Sequence, residues 1–257
     1  MTSSLRVVAY NFLSGGSPRR AGHWSRLRAR FAPDIVLAQE CRPPQDWPTE
    51  TFRSGKGDTL LWAPAAARRW GSAILLRALP ATPLKLPGFA GWVVGAELAG
   101  PPWSQGRRLR VFSIHCPGGE RGYVQTMHQI LDRVAPLRGD ADLILGGDFN
   151  VVVGNRQPGE RIGVTRGERG ILDRLAVEFD LISCWQAANP RRRLAQTLRW
   201  SANRAAPYHC DGIFVPSTWA KRLASCRVVT GSRWKRLSDH NPVLAEFTAG
   251  DPAAVDG

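Results

Sequence analysis

The chain has 257 residues, of which 43% are hydrophobic and 22% are charged. These values are ordinary for a soluble globular protein, and the length allows one large domain with a sizeable core. The charge is unusual, because 35 Lys and Arg residues against 21 Asp and Glu residues leave a net charge of +14. Such an excess favours polyanionic partners, and an arginine-rich surface without a dedicated partner is the alternative interpretation.

The cysteines argue against a disulfide framework or a structural zinc site. Their number, five, is odd, and none forms a CxxC pair. Reduced, mostly buried thiols are therefore expected, as in a cytoplasmic protein. Residues 1–12 lack the features of a signal peptide, and no apolar stretch is long enough to cross a bilayer. We expect a cytoplasmic location, no membrane association and no obligate protein partner.

Hydrophobic periodicity predicts many short strands and few helices. In chain order, the predicted elements are a strand at 5–10, a helix at 23–31, strands at 34–39, 59–63, 72–77, 92–98 and 108–115, a helix at 122–137, a strand at 143–146, a helix at 168–179, and strands at 181–185, 197–200, 208–215, 226–230 and 241–247. This mixture favours α/β layering. No linker divides the chain, so we predict a single domain over residues 1–249 and a frayed tail over residues 250–257.

Polar residues recur where the predicted strands end. They are Asn11, Gln39-Glu40, His115, the run Gly146-Gly147-Asp148-Phe149-Asn150, Asp211, and Ser238-Asp239-His240. Each residue by itself is typical of a turn or of a satisfied structural side chain. The order and context of the whole set carry more information than any member.

In that order and context, the chain resembles the endonuclease/exonuclease/phosphatase superfamily, the group of deoxyribonuclease I, exonuclease III and the inositol polyphosphate 5-phosphatases. The specific motifs are Gly147-Asp148-Phe149-Asn150 and Ser238-Asp239-His240, with Gln39-Glu40 upstream. The matching stretches extend over about the whole chain. The resemblance implies a four-layered α/β sandwich, in which two mixed sheets lie face to face with helices outside. The site would lie where strand-end loops meet at one edge.

The resemblance also implies roles for individual residues. Glu40 matches the main metal-ligating carboxylate of the family, and Asn11 matches the Asn that supports the metal and the phosphate. Asp239 matches a carboxylate near the second metal position. Asp148 and Asn150 match the pair that positions or deprotonates the water and holds the phosphate.

Two histidines complete the implied catalytic set. His240 would contact the scissile phosphate or transfer a proton, and Asp211 would orient it. A His at position 115 is characteristic of the deoxyribonuclease I and phosphatase branches, where it would donate to a phosphate oxygen or protonate the leaving group. A structural His at a strand end is the alternative for His115. The sequence departs from the family pattern at Leu13, where many relatives have a polar residue, and at His209.

The residue types suit phosphoester hydrolysis. Carboxylates are preferred ligands of hard cations, so the implied cofactor is Mg²⁺ or Mn²⁺. The predicted function is a metal-dependent phosphoester hydrolase, in the first place a nuclease that cleaves DNA or RNA by direct attack of water. One alternative is a phosphatase or phosphodiesterase that acts on phosphoinositides, sphingolipids or small nucleotides. The other is a non-catalytic nucleic-acid-binding protein with the same fold.

Aromatic and basic residues supply candidate contacts to a nucleic acid. Most of the ten Trp residues are expected to pack in the core. Trp200 and Trp234 precede site motifs, so they are the candidates for stacking on bases, and Trp200 is predicted to bind substrate. Clustered arginines are expected to include phosphate contacts; they are Arg19-Arg20, Arg68-Arg69, Arg107-Arg108 and Arg191-Arg192-Arg193.

Overall fold

The computed structural model describes residues 4–16, 22–44, 51–53, 57–157, 160, 163–203 and 206–248. The strands are β1 (Leu5–Asn11), β2 (Ile35–Cys41), β3 (Thr51–Arg53), β4 (Thr59–Pro64), β5 (Gly71–Leu76), β6 (Thr82–Leu84), β7 (Val93–Leu98), β8 (Leu109–His115), β9 (Asp142–Asp148), β10 (Leu181–Ser183), β11 (Asp211–Pro216), β12 (Leu223–Val228) and β13 (Val243–Phe247). The α-helices are α1 (His23–Phe31), α2 (Gly122–Arg138), α3 (Arg166–Asp173), α4 (Cys184–Ala188) and α5 (Ser232–Leu237). The predicted tail at 250–257 lies outside the described residues.

The strands form two mixed sheets, as the resemblance implied. One sheet has seven strands in the order β12-β13-β1-β2-β5-β4-β3, and the other has six in the order β10-β11-β9-β8-β7-β6. Strands β1 and β2 pair in parallel, as do β8 and β9, while the remaining pairs are antiparallel. The two parallel pairs occupy the middle of their sheets, where both faces of each strand are covered.

Three hydrophobic clusters define four layers. Alternate residues of β1 show the arrangement, because Val7 lies in the cluster between the sheets, whereas Val8 belongs to a cluster with Leu27 of α1 and Trp234 of α5. On the far side, Ile130 belongs to the cluster that packs α2 against the six-stranded sheet. The fold is therefore a helix–sheet–sheet–helix sandwich, and the prediction of four layers is confirmed.

Strand register brings the predicted site residues to one edge of the sandwich. Asn11 pairs with Gln39 at the carboxyl ends of β1 and β2, and His115 pairs with Asp148 at the ends of β8 and β9. Asp211, the first residue of the antiparallel strand β11, also lies opposite Asp148. Parallel strands have their carboxyl ends at the same edge of a sheet. Side chains that are distant in sequence therefore meet at this edge without any long loop.

A buried hydrogen-bond chain fastens the two sheets together near that edge. The Nε2 of Gln39 donates to the Oγ of Ser113 at 2.9 Å, and Ser113 in turn donates to the carbonyl of Ala38 at 3.1 Å. Gln39 and Ser113 are completely buried. Since these bonds have no competition from water, they set the spacing between β2 and β8 beside the site.

Several predicted strands differ from the structure, and the one at 208–215 begins only at Asp211. Within residues 197–200 only Leu198 forms β-bridges, and these are isolated, while the hydroxyl of Thr197 accepts the backbone N–H groups of Cys210 and Asp211. The strand predicted at 181–185 ends at Ser183, whose side chain caps α4. Strands β3 and β6 and helices α4 and α5 were not predicted, since they are too short to show a periodic pattern.

The prediction of buried thiols without a disulfide framework agrees with the structure. All five cysteines are buried and free. Among the helices of the described ranges, none combines the length and the apolar composition needed to span a bilayer.

A substitution at Gly147 tests how closely the backbones of β8 and β9 pack at the edge that carries the site. Its φ is +139°, and a Cβ there would lie 2.0 Å from the Ile114 carbonyl oxygen. We predict that Gly147→Ala lowers the free energy of unfolding by about 3 kcal/mol, because the clash is with backbone that cannot move aside. Urea denaturation measures this loss.

Gly106→Ala is the matched control. Gly106 also has a positive φ, +78°, but no atom lies within 4 Å of the added Cβ. Only the conformational strain of about 1 kcal/mol is then expected. Equal losses in the two variants would show that the strand ends at Gly147 are not closely packed.

Candidate active site

Eight residues predicted from the sequence meet at one edge of the sandwich. They are Asn11, Glu40, His115, Asp148, Asn150, Asp211, Asp239 and His240. Most are buried, and the contacts among them join both sheets and the loop that precedes β13.

Asn11 connects two carboxylates that come from opposite sheets. Its Nδ2 donates to the Oε1 of Glu40 at 3.2 Å and to the Oδ2 of Asp148 at 3.0 Å. Its Oδ1 accepts the backbone N–H of Leu13 at 2.9 Å, which fixes which way the amide faces. Position 13 therefore contributes through its backbone, although its side chain departs from the family pattern.

Glu40 is turned toward the edge by an irregularity in β2. The register with β5 shifts between Ala38 and Cys41, and Glu40 has a left-handed φ of +46°. Its Oε2 accepts the backbone N–H of Ser14 at 2.6 Å. The side chain remains 16% exposed, so its carboxylate is accessible from the edge.

His115 faces the same two carboxylates. Its Nε2 lies 3.6 Å from the Oε1 of Glu40 and 3.8 Å from the Oδ2 of Asp148. The imidazole lies against Trp70 and Trp92, with ring centroids 5.6 and 5.2 Å away. Within the described residues its Nδ1 has no hydrogen-bond partner. The Nε2 side of the ring is therefore directed at the two carboxylates of the site.

Asp148 is a buried acid that faces the other site residues. Burial raises its pKa, and the neighbouring charge of Asp211 acts in the same direction, against the lowering effect of His240 and His115. Its Oδ1 accepts the backbone N–H of Asn150 at 3.0 Å. Asn150 has a left-handed φ of +53°, and its Nδ2 donates to the carbonyl of Cys116 at 2.9 Å. These bonds fix the Asp148 carboxylate and the Asn150 amide side by side.

His240 and Asp211 form a buried pair. The Nδ1–H of His240 donates to Asp211, with distances of 2.8 Å to Oδ2 and 3.0 Å to Oδ1. Burial opposes the charge on His240, but the carboxylates of Asp211 and Asp148 outweigh it and raise the pKa of His240 to about 10. Its Nε2 then lies 3.8 Å from the Oδ2 of Asp148 and 4.0 Å from the Oδ1 of Asp239.

Two residues that hold this pair were given no role from the sequence, although Ser238 stands in the Ser238-Asp239-His240 motif. The Oγ of Ser238 donates to the Asn11 carbonyl at 2.8 Å and accepts the backbone N–H of His240 at 3.0 Å. The guanidinium of Arg199 donates to the carbonyl of Ser238 at 2.6 Å and to that of His240 at 3.2 Å. Most of these contacts are with backbone groups, so the residue types alone did not indicate the supporting roles.

Trp200 borders the site, and Trp234 does not. Trp200 is 50% exposed and lines a cavity of about 390 Å³ together with Tyr208 and Asn150. Trp234 is buried and stacks on Phe31 at 5.5 Å, so the prediction that it stacks on bases is wrong. The indole of Trp234 packs in the hydrophobic cluster between α5, α1 and the seven-stranded sheet.

His209 has a structural position beside that cavity. Its Nδ1–H donates to the carbonyl of Ala195 at 2.7 Å, and the ring packs against Trp185. Burial lowers its pKa to about 4, so the ring is neutral at pH 7. Its departure from the family pattern therefore adds no charge to the site.

The donor set fits a hard divalent cation. Glu40 and Asp148 present carboxylate oxygens within reach of the Nδ2 of Asn11, whose own amide oxygen accepts the Leu13 N–H. Ligand atoms of Asp148, Cys210, Asp211 and His240 also lie within 4.8 Å of one another. Burial raises the pKa of the Cys210 thiol well above its usual value, so that side chain stays protonated and is a poor ligand.

Comparison with known proteins agrees with this geometry. The model of the endonuclease/exonuclease/phosphatase family matches residues 8–240, and the chain belongs to that family. The name of the family describes phosphoester hydrolases. A search of curated protein sequences gave no match.

Solved structures share the fold at low sequence identity. An AP endonuclease from Leishmania major superposes with a TM-score of 0.69 at 16% identity, over 95% of this chain and 88% of that one. A 3′ phosphatase from Neisseria bound to a product DNA hairpin gives 0.66 at 20% identity, over 95% and 99% of the two chains. An AP endonuclease from Archaeoglobus fulgidus gives 0.65 at 17% identity, over 95% and 99%.

The His240–Asp211 pair gives a prediction about catalysis. We expect His240→Ala and Asp211→Asn each to lower the turnover of a phosphoester substrate by about 10²- to 10⁴-fold. Since the two groups act as one unit, the double variant should be little worse than His240→Ala. Steady-state kinetics on the three proteins measures this.

Asp140→Asn is the control, because Asp140 is exposed and pairs with Arg108 at the other end of β9. It should leave turnover unchanged. Losses that multiply fully in the double variant would mean that Asp211 does not act through His240.

Proposed function

We propose that the protein is a divalent-metal-dependent phosphodiesterase that cleaves nucleic acid by direct attack of water on phosphorus. The observation that carries the proposal is the bridge from Asn11 to Glu40 and Asp148, placed next to the His240–Asp211 pair. It combines hard oxygen donors with a positively charged hydrogen-bond donor, which are the two requirements for stabilising a phosphoryl transition state.

The metal site is assigned to residues from both sheets. Glu40 would be the main carboxylate ligand, Asn11 and Asp148 would lie beside it, and Asp239 would serve a second position. When bound, Mg²⁺ or Mn²⁺ supplies neutralisation of charge on the phosphoryl oxygens. Both ions accept carboxylate and amide oxygens, so either would suit this set of donors.

The remaining side chains would each contact the water, a phosphate oxygen or the leaving group. Asp148, whose pKa is raised by burial, orients the attacking water and accepts its proton. His240 is kept protonated by Asp211 and donates from Nε2 to a phosphate oxygen. Asn150 donates to the phosphate, and His115 donates from Nε2 to a phosphate oxygen or to the leaving group.

Water is the nucleophile in this proposal because the nearby thiols are not available. Cys116 and Cys210 are buried, and burial raises the pKa of each thiol above its usual value. A protonated thiol is a weak nucleophile, so neither residue supports a covalent intermediate.

A nucleic acid is the proposed substrate because the chain is strongly basic and aromatic rings lie beside the site. The chain carries a net charge of +14, and Trp200 presents a half-exposed ring beside Asn150. On the other side, Arg68 lies over the ring of Trp70, which contacts His115. The phosphatase and AP endonucleases with the same fold are named for reactions on DNA or are bound to it.

The metal assignment predicts the behaviour of one variant. Glu40→Gln should lower turnover by about a thousandfold, because a neutral amide replaces the main charged ligand. It should also weaken the binding of Mn²⁺, which isothermal titration calorimetry measures without any substrate. Glu246→Gln, which removes a carboxylate paired with Arg6 at the other end of the sheet, is the control and should change neither quantity. Full activity of the wild-type protein in excess EDTA would contradict the assignment.

The substrate assignment predicts the effect of salt on binding. Each neutralised phosphate contributes a slope of about −0.9 on duplex and about −0.7 on single strands in log K against log salt. Several arginine contacts should therefore give a slope of several units for a long oligonucleotide and a shallow slope for a small phosphoester. Fluorescence anisotropy with Asp148→Asn at a fixed Mg²⁺ concentration measures binding without cleavage.

The panel should include single-stranded DNA, duplex DNA, RNA, an inositol phosphate and a small nucleotide. A flat slope for every polynucleotide, together with rapid hydrolysis of a small phosphoester by the wild-type protein, would favour the phosphatase alternative. The metal assignment would stand in that case, since it depends on the strand-end residues and not on net charge.

A further inference from the structure

A second cavity, of about 380 Å³, lies at the opposite edge of the sandwich from the candidate active site. It is lined by Asp142, the first residue of β9, whereas Asp148 at the other end of that strand belongs to the active site. Seven residues of strand separate the two by about 20 Å. The cavity is therefore distinct from the catalytic cluster.

Arg222 lines this cavity with its charge only partly offset, because Asp142 attracts it without forming a direct ion pair. Its Nε and Nη2 are both buried and have no hydrogen-bond acceptor within the described residues. The guanidinium lies over the ring of Trp219 at 5.2 Å, and no carboxylate of the described chain lies within 4.0 Å of it. Buried donors of this kind are costly and rarely left unpaired.

The two unpaired nitrogens are neighbours on the guanidinium. Nε and Nη2 form the edge of the fork that binds a carboxylate or a phosphate through two parallel hydrogen bonds. A single anion with two oxygens would satisfy both donors at once. A water molecule would satisfy them less well, because it carries no charge to offset that of the guanidinium.

The other charges that line the cavity also favour an anion. Arg107 is paired with Asp142 at 2.9 Å, so these two charges offset each other. The Oδ2 of Asp142 is further occupied by the indole N–H of Trp219 at 3.3 Å. Arg138 donates to the backbone carbonyl of Glu178, which leaves its charge free of any carboxylate there. The remaining acid, Asp180, is exposed at the rim.

Apolar walls set the kind of anion that fits. Phe179, Leu181 and Trp219 line the cavity beside the arginines. The volume lies within the range of small-molecule sites and exceeds what one phosphate ion fills. We propose that this cavity binds a small organic oxyanion, a phosphate monoester or a carboxylate attached to a compact apolar group, through the Nε–Nη2 edge of Arg222.

The test measures binding of three probes in EDTA, so that no metal recruits anions to the active site. The probes are inorganic phosphate, adenosine 5′-monophosphate and benzoate, and isothermal titration calorimetry gives their affinities. We expect adenosine 5′-monophosphate or benzoate to bind more tightly than inorganic phosphate. Removal of a charged hydrogen-bond donor should weaken that binding by about tenfold or more in Arg222→Met.

Two further variants keep the test interpretable. Arg222→Lys retains the charge and the fold but lacks the planar fork, so binding should weaken there as well. Arg6→Met removes a cation that pairs with Glu246 and does not line the cavity, so it should bind as the wild-type protein does. Turnover of a phosphoester substrate should be unchanged in all three variants, since none of these residues lies at the catalytic edge.

Three results would overturn the proposal. The first is the absence of binding of all three probes to the wild-type protein. The second is equal binding by the wild-type protein and Arg222→Lys, which would show that the fork is not used. The third is an equal loss in Arg6→Met, which would attribute binding to net charge alone. The identity of the tightest probe distinguishes a phosphate monoester from a carboxylate.

Discussion

The arrangement of the site depends on one amide group that holds two carboxylates together. The Nδ2 of Asn11 donates to Glu40 from its own sheet and to Asp148 from the opposite sheet. Two carboxylates this close repel each other when both are charged, and burial of Asp148 adds a desolvation cost. The fold tolerates them because hydrogen bonds fix both groups and because cationic partners lie near. This is the electrostatic reason why the cluster suits a divalent cation.

The same constraint explains why the histidines lie where they do. His115 and His240 place Nε2 atoms 3.8 Å from the same oxygen, the Oδ2 of Asp148. Asp211 holds His240 from behind, and Ser238 ties the loop of His240 to the backbone of Asn11. Groups from the first and last strands of the fold thus depend on each other. A change at Asn11 would therefore disturb donors and acceptors contributed by both sheets.

Much of the fold could be predicted from the sequence because its central strands carry strong patterns. The buried runs of β1, β2, β5 and β9 were identified within one or two residues at most ends, and so were α1 and α2. Short elements were missed for a physical reason. Strand β6 has exposed residues and α5 spans less than two turns, so neither repeats a pattern long enough to detect. Segment 197–200 looked like a strand because apolar and polar residues alternate there.

The residues of the candidate site could be predicted from the sequence. The residues that hold them in place could be predicted much less well. Asn11, Glu40, Asp148 and His240 stand in motifs whose order along the chain pointed to one family. Arg199 and Thr197 could not be found in this way, because they act on backbone groups and therefore leave no specific spacing. Trp234 was assigned wrongly since sequence position near a motif does not distinguish an exposed ring from a buried one.

Crystals soaked in Mn²⁺ and measured at the manganese absorption edge test the central claim most directly. The account predicts an anomalous difference peak at the catalytic edge, within about 2.2 Å of a Glu40 carboxylate oxygen and adjacent to Asn11 and Asp148. A peak confined to other acidic residues, or no peak at this edge in crystals where Mn²⁺ supports turnover, would contradict it.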